Sequence, residues 1–146
     1  MVPFKRILVP VDGSRYSLDA VRLASRMAGF HDAELMILHV IDEFLMDQLT
    51  RLAEKKSRED IRDELKESAK GFLRDMQRQA SREAVSSEIR IEEGVPHEII
   101  LQKAAGWRAD LIVMGKLGRR GITKILLGSV AERVIEFSDI PVLVVK

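Results

Sequence analysis

The chain has no cysteine, which removes disulfides, thiolate nucleophiles and cysteine-ligated zinc together. Histidine is almost as scarce: three scattered residues do not make a histidine-based metal site. One Trp, one Tyr and five scattered Phe leave no aromatic platform on which single-stranded bases could stack, so nucleic-acid binding is not expected. A large excess of one charge is missing too. Lys and Arg number 24 against 23 Asp and Glu, and a net charge of +1 gives the whole surface no pull toward nucleic acid or an anionic membrane. The first apolar run, Ile7 to Val11, is too short for a signal-peptide core, and no stretch is long enough to span a bilayer. A soluble, cytoplasmic protein is the resulting expectation. What is present is 46% hydrophobic and 32% charged residues in a chain of 146, which fits one domain over residues 1–146. At that size roughly 70% of the unfolded chain's surface can be buried.

Hydrophobic periodicity divides the chain into strands and helices in alternation. Ile7-Leu8-Val9-Pro10-Val11 is a continuous apolar run closed by Asp12-Gly13-Ser14, and reads as a strand buried on both faces. From Ser14 or Ser17 to Met27, the positions Leu18, Val21, Ala24 and Met27 recur at helical spacing, and Gly29 stands where a C-cap belongs. Leu35 to Val40 is a second, central strand; Ser87 to Glu93 alternates polar and apolar residues and reads as an edge. Between them, Ile61, Leu65, Phe72 and Met76 mark a helical stripe in a charged stretch. Glu59 with Arg62, Asp63 with Lys66, Glu67 with Lys70 and Asp75 with Arg78 are spaced to support that helix. The segment Ile41 to Lys56 has a weaker helical pattern. Pro96 opens another helix, Asp110 to Met114 form a fourth buried strand ending at Gly115, a short helix runs from about Gly128 to Phe137, and Pro141 to Val145 are the last strand. Near-continuous apolar strands alternating with helices predict an open, five-stranded parallel α/β sheet covered on both faces.

Ligands of such sheets bind beyond the carboxyl ends of the strands, where neighbouring crossovers diverge. Three segments end there: Pro10-Val11-Asp12, Val40-Ile41-Asp42 and Met114-Gly115. The last continues through Lys116 and Leu117 to Gly118, then nine residues, then Gly128-Ser129-Val130 at a helix start. Glycine lets the backbone approach a ligand closely, and a helix N-terminus offers unpaired N–H groups with about half a positive charge. Between Gly115 and Ala131 stand Lys116, Arg119, Arg120 and Lys124 and no acid, so a polyphosphate would be attracted. Each glycine alone is also explained as turn chemistry, and Gly-Ser as a cap. The spacing as a whole is the more specific signal.

That spacing, Gly115-x-x-Gly118-(nine residues)-Gly128-Ser129, resembles the ATP-binding pattern of the universal stress protein family. The start, Ile7 to Ser14, and the end, Ser138-x-x-Pro141-Val142-Leu143-Val144-Val145, resemble its two other hallmarks, so the likeness spans the whole chain. The resemblance implies a Rossmann-like sheet in the order 3-2-1-4-5 and a homodimer built by antiparallel pairing of the last strand. It implies ATP as ligand, with Mg2+ or Mn2+ bridging the phosphates. Pro10, Val11, Asp12 and Val40 would line the adenine and ribose end, mostly through the backbone. Met114 and Gly115 would lie by the ribose and phosphates, and Gly118, Gly128, Ser129 and Val130 would hold the triphosphate. Many ATP-binding members carry a small hydroxyl residue after the first glycine; Lys116 stands there in this chain.

Other readings are less well supplied with residues. A phosphoryl-accepting Asp12, as in a receiver domain, needs a second acid beside it and an Asp ending the third strand, which instead ends Glu92-Glu93-Gly94. His39 inside an apolar strand reads as a hydrogen-bonded core residue, and neither His97 nor Ser129 has a partner at readable spacing for a hydrolase. Three functions stay in view. They are an ATP-dependent regulatory or stress-response module, a slow ATPase or phosphoryl-transfer enzyme for which no base is identifiable, and a nucleotide-free dimeric interaction module. The apolar run Val142 to Val145, uncharged until Lys146, independently invites a partner strand.

Overall fold

A computed structural model describes residues 4–117 and 127–146. Its order is β1 (Arg6–Pro10), α1 (Arg15–His31), β2 (Glu34–Asp42), α2 (Glu43–Leu52), α3 (Arg58–Ser81), β3 (Ser87–Gly94), α4 (Pro96–Trp107), β4 (Leu111–Gly115), α5 (Ser129–Phe137) and β5 (Val142–Val145). The five strands form one parallel sheet in the order β3-β2-β1-β4-β5, as expected. β3 and β5 are its edges.

The apolar strands are continuous because each face of the sheet has its own core. Ile7, Val9, Leu35, Ile37 and Val113 pack on one face with Val21 and Ala24 of α1 and Leu73 and Met76 of α3. The residues between them, Leu8, Met36, Leu38, Ile112 and Met114, pack on the other with Ile100 of α4 and Val134 of α5. A one-residue slip would exchange the two sets, so the register is strongly specified. A smaller cluster of Ile41, Met46 and Ile61 seats α2 against α3, which gives the weakly patterned segment after β2 its helix. No described helix is long and apolar enough to cross a membrane.

Two local expectations are revised. Gly29 does not end α1; the helix runs to His31, and Asp32 takes the left-handed conformation at φ 55°. Asp tolerates that region better than most residues. Gly29 instead lies where a Cβ would come 3.4 Å from the Glu83 carbonyl oxygen, beside the chain that leaves α3. Along α3, Glu67–Lys70 and Asp75–Arg78 are ion pairs as spaced, but the Arg62 guanidinium reaches out of the helix to Glu93 on β3. Sequence spacing sees only partners on the same helix, whereas a fixed two-pronged guanidinium on a carboxylate is the better geometry.

Candidate functional site

In this strand order β1 sits centrally, and the chain passes from its β2 side to its β4 side; the crevice between the carboxyl ends of β1 and β4 is the switch point. Pro10, Val11 and Asp12 leave the end of β1, Val40 lies near the end of β2, and Met114 and Gly115 close β4, so these six arrive at one end of the sheet. Gly128, Ser129 and Val130 are brought to it by two main-chain bonds. Lys116 N–H donates to the Val145 carbonyl (2.7 Å), and Gly128 N–H donates to the Lys116 carbonyl (2.8 Å). Gly118, Arg119, Arg120 and Lys124 lie outside the described residues.

The loop after β1 is locally built. Asp12 Oδ1 accepts from Ser14 N–H (2.9 Å), Ser14 Oγ caps α1 by accepting from Ser17 N–H (3.2 Å), and Ser17 Oγ donates back to the Ser14 carbonyl (3.0 Å). Asp12 thus serves as a turn-forming residue beside any further role. The Val11, Val40 and Met114 side chains are buried in the two cores. Val11 has both main-chain polar groups engaged: its N–H donates to the Leu38 carbonyl (2.8 Å), and its carbonyl accepts from His39 Nδ1–H (2.8 Å). His39 is therefore the hydrogen-bonded histidine expected inside an apolar strand.

The glycines divide by cause. A Cβ on Gly115 would stand 2.8 Å from the carbonyl carbon and Cβ of Tyr16 in the first turn of α1, so packing alone demands glycine there. Tyr16, isolated in the sequence, supplies that contact with its backbone. Gly128 has φ −69° and ψ 154°, extended values open to any residue. As N-cap of α5 it brings no side-chain acceptor, whereas α1, α2 and α3 are capped by Ser14, Asp42 and Ser57. Like α4 behind Val95, α5 therefore has no side-chain cap from its own N-cap residue, which leaves the main-chain N–H groups of its first turn and the positive end of its dipole for another partner.

One perturbed carboxyl lies near the carboxyl end of β3. The Arg62 guanidinium, hydrogen-bonded through Nε (2.7 Å) and Nη2 (3.1 Å), holds the Glu93 carboxyl below its ordinary range. No group of three or more His, Cys, Asp or Glu that could hold a metal ion occurs among the described residues. Two open grooves lie elsewhere, one of about 580 Å³ by Leu52 and Ile61 and one of about 710 Å³ by Trp107 and Arg90; neither includes the ends of β1 or β4.

A model of the universal stress protein family matches residues 3–146. The chain belongs to the universal stress protein family. Among curated members, universal stress protein MJ0531 of Methanocaldococcus jannaschii is 41% identical over 143 residues, covering 98% of this chain and 82% of that one. The fold agrees with solved members. The structure of MJ0577, from the same organism, matches with a TM-score of 0.87 and 32% identity, covering 99% of this chain and 97% of that one. A universal stress protein crystallised in complex with cAMP matches with a TM-score of 0.72 and 26% identity, covering 99% and 98%.

Proposed function

We propose that this universal stress protein, as one cytoplasmic domain over residues 1–146, binds ATP at the β1/β4 crevice and acts as a nucleotide-dependent regulatory or stress-response module. One observation carries the reading: α5 begins at the switch point without a side-chain cap, behind a glycine whose backbone conformation does not require glycine. Main-chain N–H groups there suit a phosphate chain. The family member in complex with cAMP supports a nucleotide as the ligand class.

In this reading Gly128, Ser129 and Val130, with Gly118, hold the phosphates. Pro10, Val11, Asp12 and Val40 form the nucleoside end, and Met114 and Gly115 lie between. Mg2+ or Mn2+ would be carried by the phosphate oxygens. The metal would supply charge neutralisation, while the chain supplies amides. The same reading makes the chain a homodimer through β5, whose apolar residues form an edge of the sheet.

The test is thermal unfolding with and without MgATP. At a hundred times the dissociation constant, ATP should stabilise the fold by about 2.7 kcal/mol. Gly128→Val, unstrained at φ −69°, should keep the fold and remove the shift by filling the space before α5. No shift in the unmutated chain overturns the assignment.

A further inference from the structure

The nucleoside end of the proposed site depends on where one peptide plane points. Val11 and Asp12 share that peptide, and it stands just past the last residue of β1. Pro10 is in register with Leu38, and the ladder between β1 and β2 continues one step further, through Val11 N–H to the Leu38 carbonyl (2.8 Å). The next acceptor, the Val11 carbonyl, receives a side chain instead: His39 Nδ1 lies 2.8 Å away. A carbonyl only accepts, so Nδ1 carries the hydrogen in the neutral and in the charged ring alike.

The histidine is itself held in place. Its ring meets Phe72 of α3 edge to face, with centroids 5.0 Å apart and an interplanar angle of 87°. Packing thus sets the ring, the ring holds the Val11 carbonyl, and the planar trans peptide carries the Asp12 N–H to the other side of the same bond, where it donates to Ser17 Oγ (3.4 Å). Asp12 in turn anchors the loop through Ser14 N–H (2.9 Å).

We infer that His39 is a positioning residue for nucleotide binding: its Nδ1–H holds the Val11–Asp12 peptide in the orientation against which the nucleoside end lies. This rests on the nucleotide reading above and adds to it a residue that touches the backbone of the site and no ligand.

Two substitutions separate the donor from the ring. His39→Phe keeps an aromatic ring for Phe72 and removes the donor, whereas His39→Asn gives up the ring and keeps an N–H donor near the Nδ1 position. MgATP titrated into the full chain should bind His39→Phe about tenfold more weakly, the scale of one part-buried hydrogen bond, and His39→Asn should recover most of that loss. In the free protein, backbone amide exchange at Gly13 and Ser14 should quicken in His39→Phe and return toward the unmutated rate in His39→Asn. Binding by His39→Phe within twofold of the unmutated chain overturns the inference, as does His39→Asn binding no better than His39→Phe. So does unchanged exchange at Gly13 and Ser14. Absence of MgATP binding by the unmutated chain is a different outcome: it overturns the nucleotide reading itself, whereas the exchange rates report on His39 alone.

Discussion

Gly115 and Tyr16 are in backbone contact: a Cβ added at Gly115 would lie 2.8 Å from the Tyr16 carbonyl carbon and 2.9 Å from its oxygen. This contact ties the end of β4 to the first turn of α1, the helix that follows β1. The obstructing atoms are the carbonyl group and Cβ of Tyr16, which cannot swing aside as the far end of a flexible side chain would. Gly115→Ala should therefore destabilise the ligand-free chain by about 1–3 kcal/mol, the usual cost of overpacking, read as a lower urea midpoint. An unchanged midpoint would show that the site relaxes, and would remove packing as the reason for this glycine.

The Arg62–Glu93 pair gives a pH dependence with a definite sign. Glu93 is held below its ordinary range, chiefly by the hydrogen bond from Arg62, so its contribution is in place above the unfolded carboxylate range and is lost as pH falls through the folded value. Glu93→Gln should be less stable than the unmutated chain at neutral pH, and the two urea midpoints should converge in acid. Curves that stay parallel down to acid would deny the pair any net role. Both side chains are 31% exposed, so added salt should narrow the neutral-pH difference.

Helix α3 begins with a reciprocal cap: Ser57 Oγ accepts from Asp60 N–H and Asp60 Oδ2 accepts from Ser57 N–H, each at 3.1 Å. Ser57→Ala should cost about 1 kcal/mol in chemical denaturation, and Ser57→Asp should restore most of it. Equal stability of all three chains would mean that the tertiary packing of Ile61 and Leu73 alone sets this helix start.

The proposed dimer is tested at Val144. Ile112 N–H donates to the Pro141 carbonyl and Lys116 N–H to the Val145 carbonyl, so odd-numbered residues of β5 face β4, and by alternation Val144 directs its N–H to the open side. Val144→Pro removes that outward donor and spares the inner ladder. Light scattering at micromolar concentration should give twice the chain mass for the unmutated protein and a single chain mass for the variant. A monomer in both cases removes the dimer from the proposal.

The alternation of strands and helices was legible because it rests on hydrophobic period, a local signal. Pro96 at the first turn of α4 and the buried runs Ile7–Val9 and Leu111–Met114 came through for the same reason. The strand order came from the family resemblance, since periodicity alone does not say which strands are neighbours. What stayed hidden depends on residues far apart in the chain: Gly29 beside Glu83, Arg62 on Glu93, Gly115 against Tyr16 and His39 on Val11. A glycine after a strand signals close approach without saying by what. At Gly115 the answer is the backbone and Cβ of Tyr16, and at Gly128 a ligand is the proposed answer.

The sheet's two margins differ in a way that limits how far it can grow. At β3, Gln77 Nε2–H donates to the Ser87 carbonyl (3.3 Å), Arg62 clasps Glu93, and Glu88, Arg90 and Glu92 place charge along the strand. At β5 the strand is four apolar residues. Two copies joined through β5 would expose only the guarded margin at each end, so assembly by strand addition would halt at a pair and not run on into a fibre.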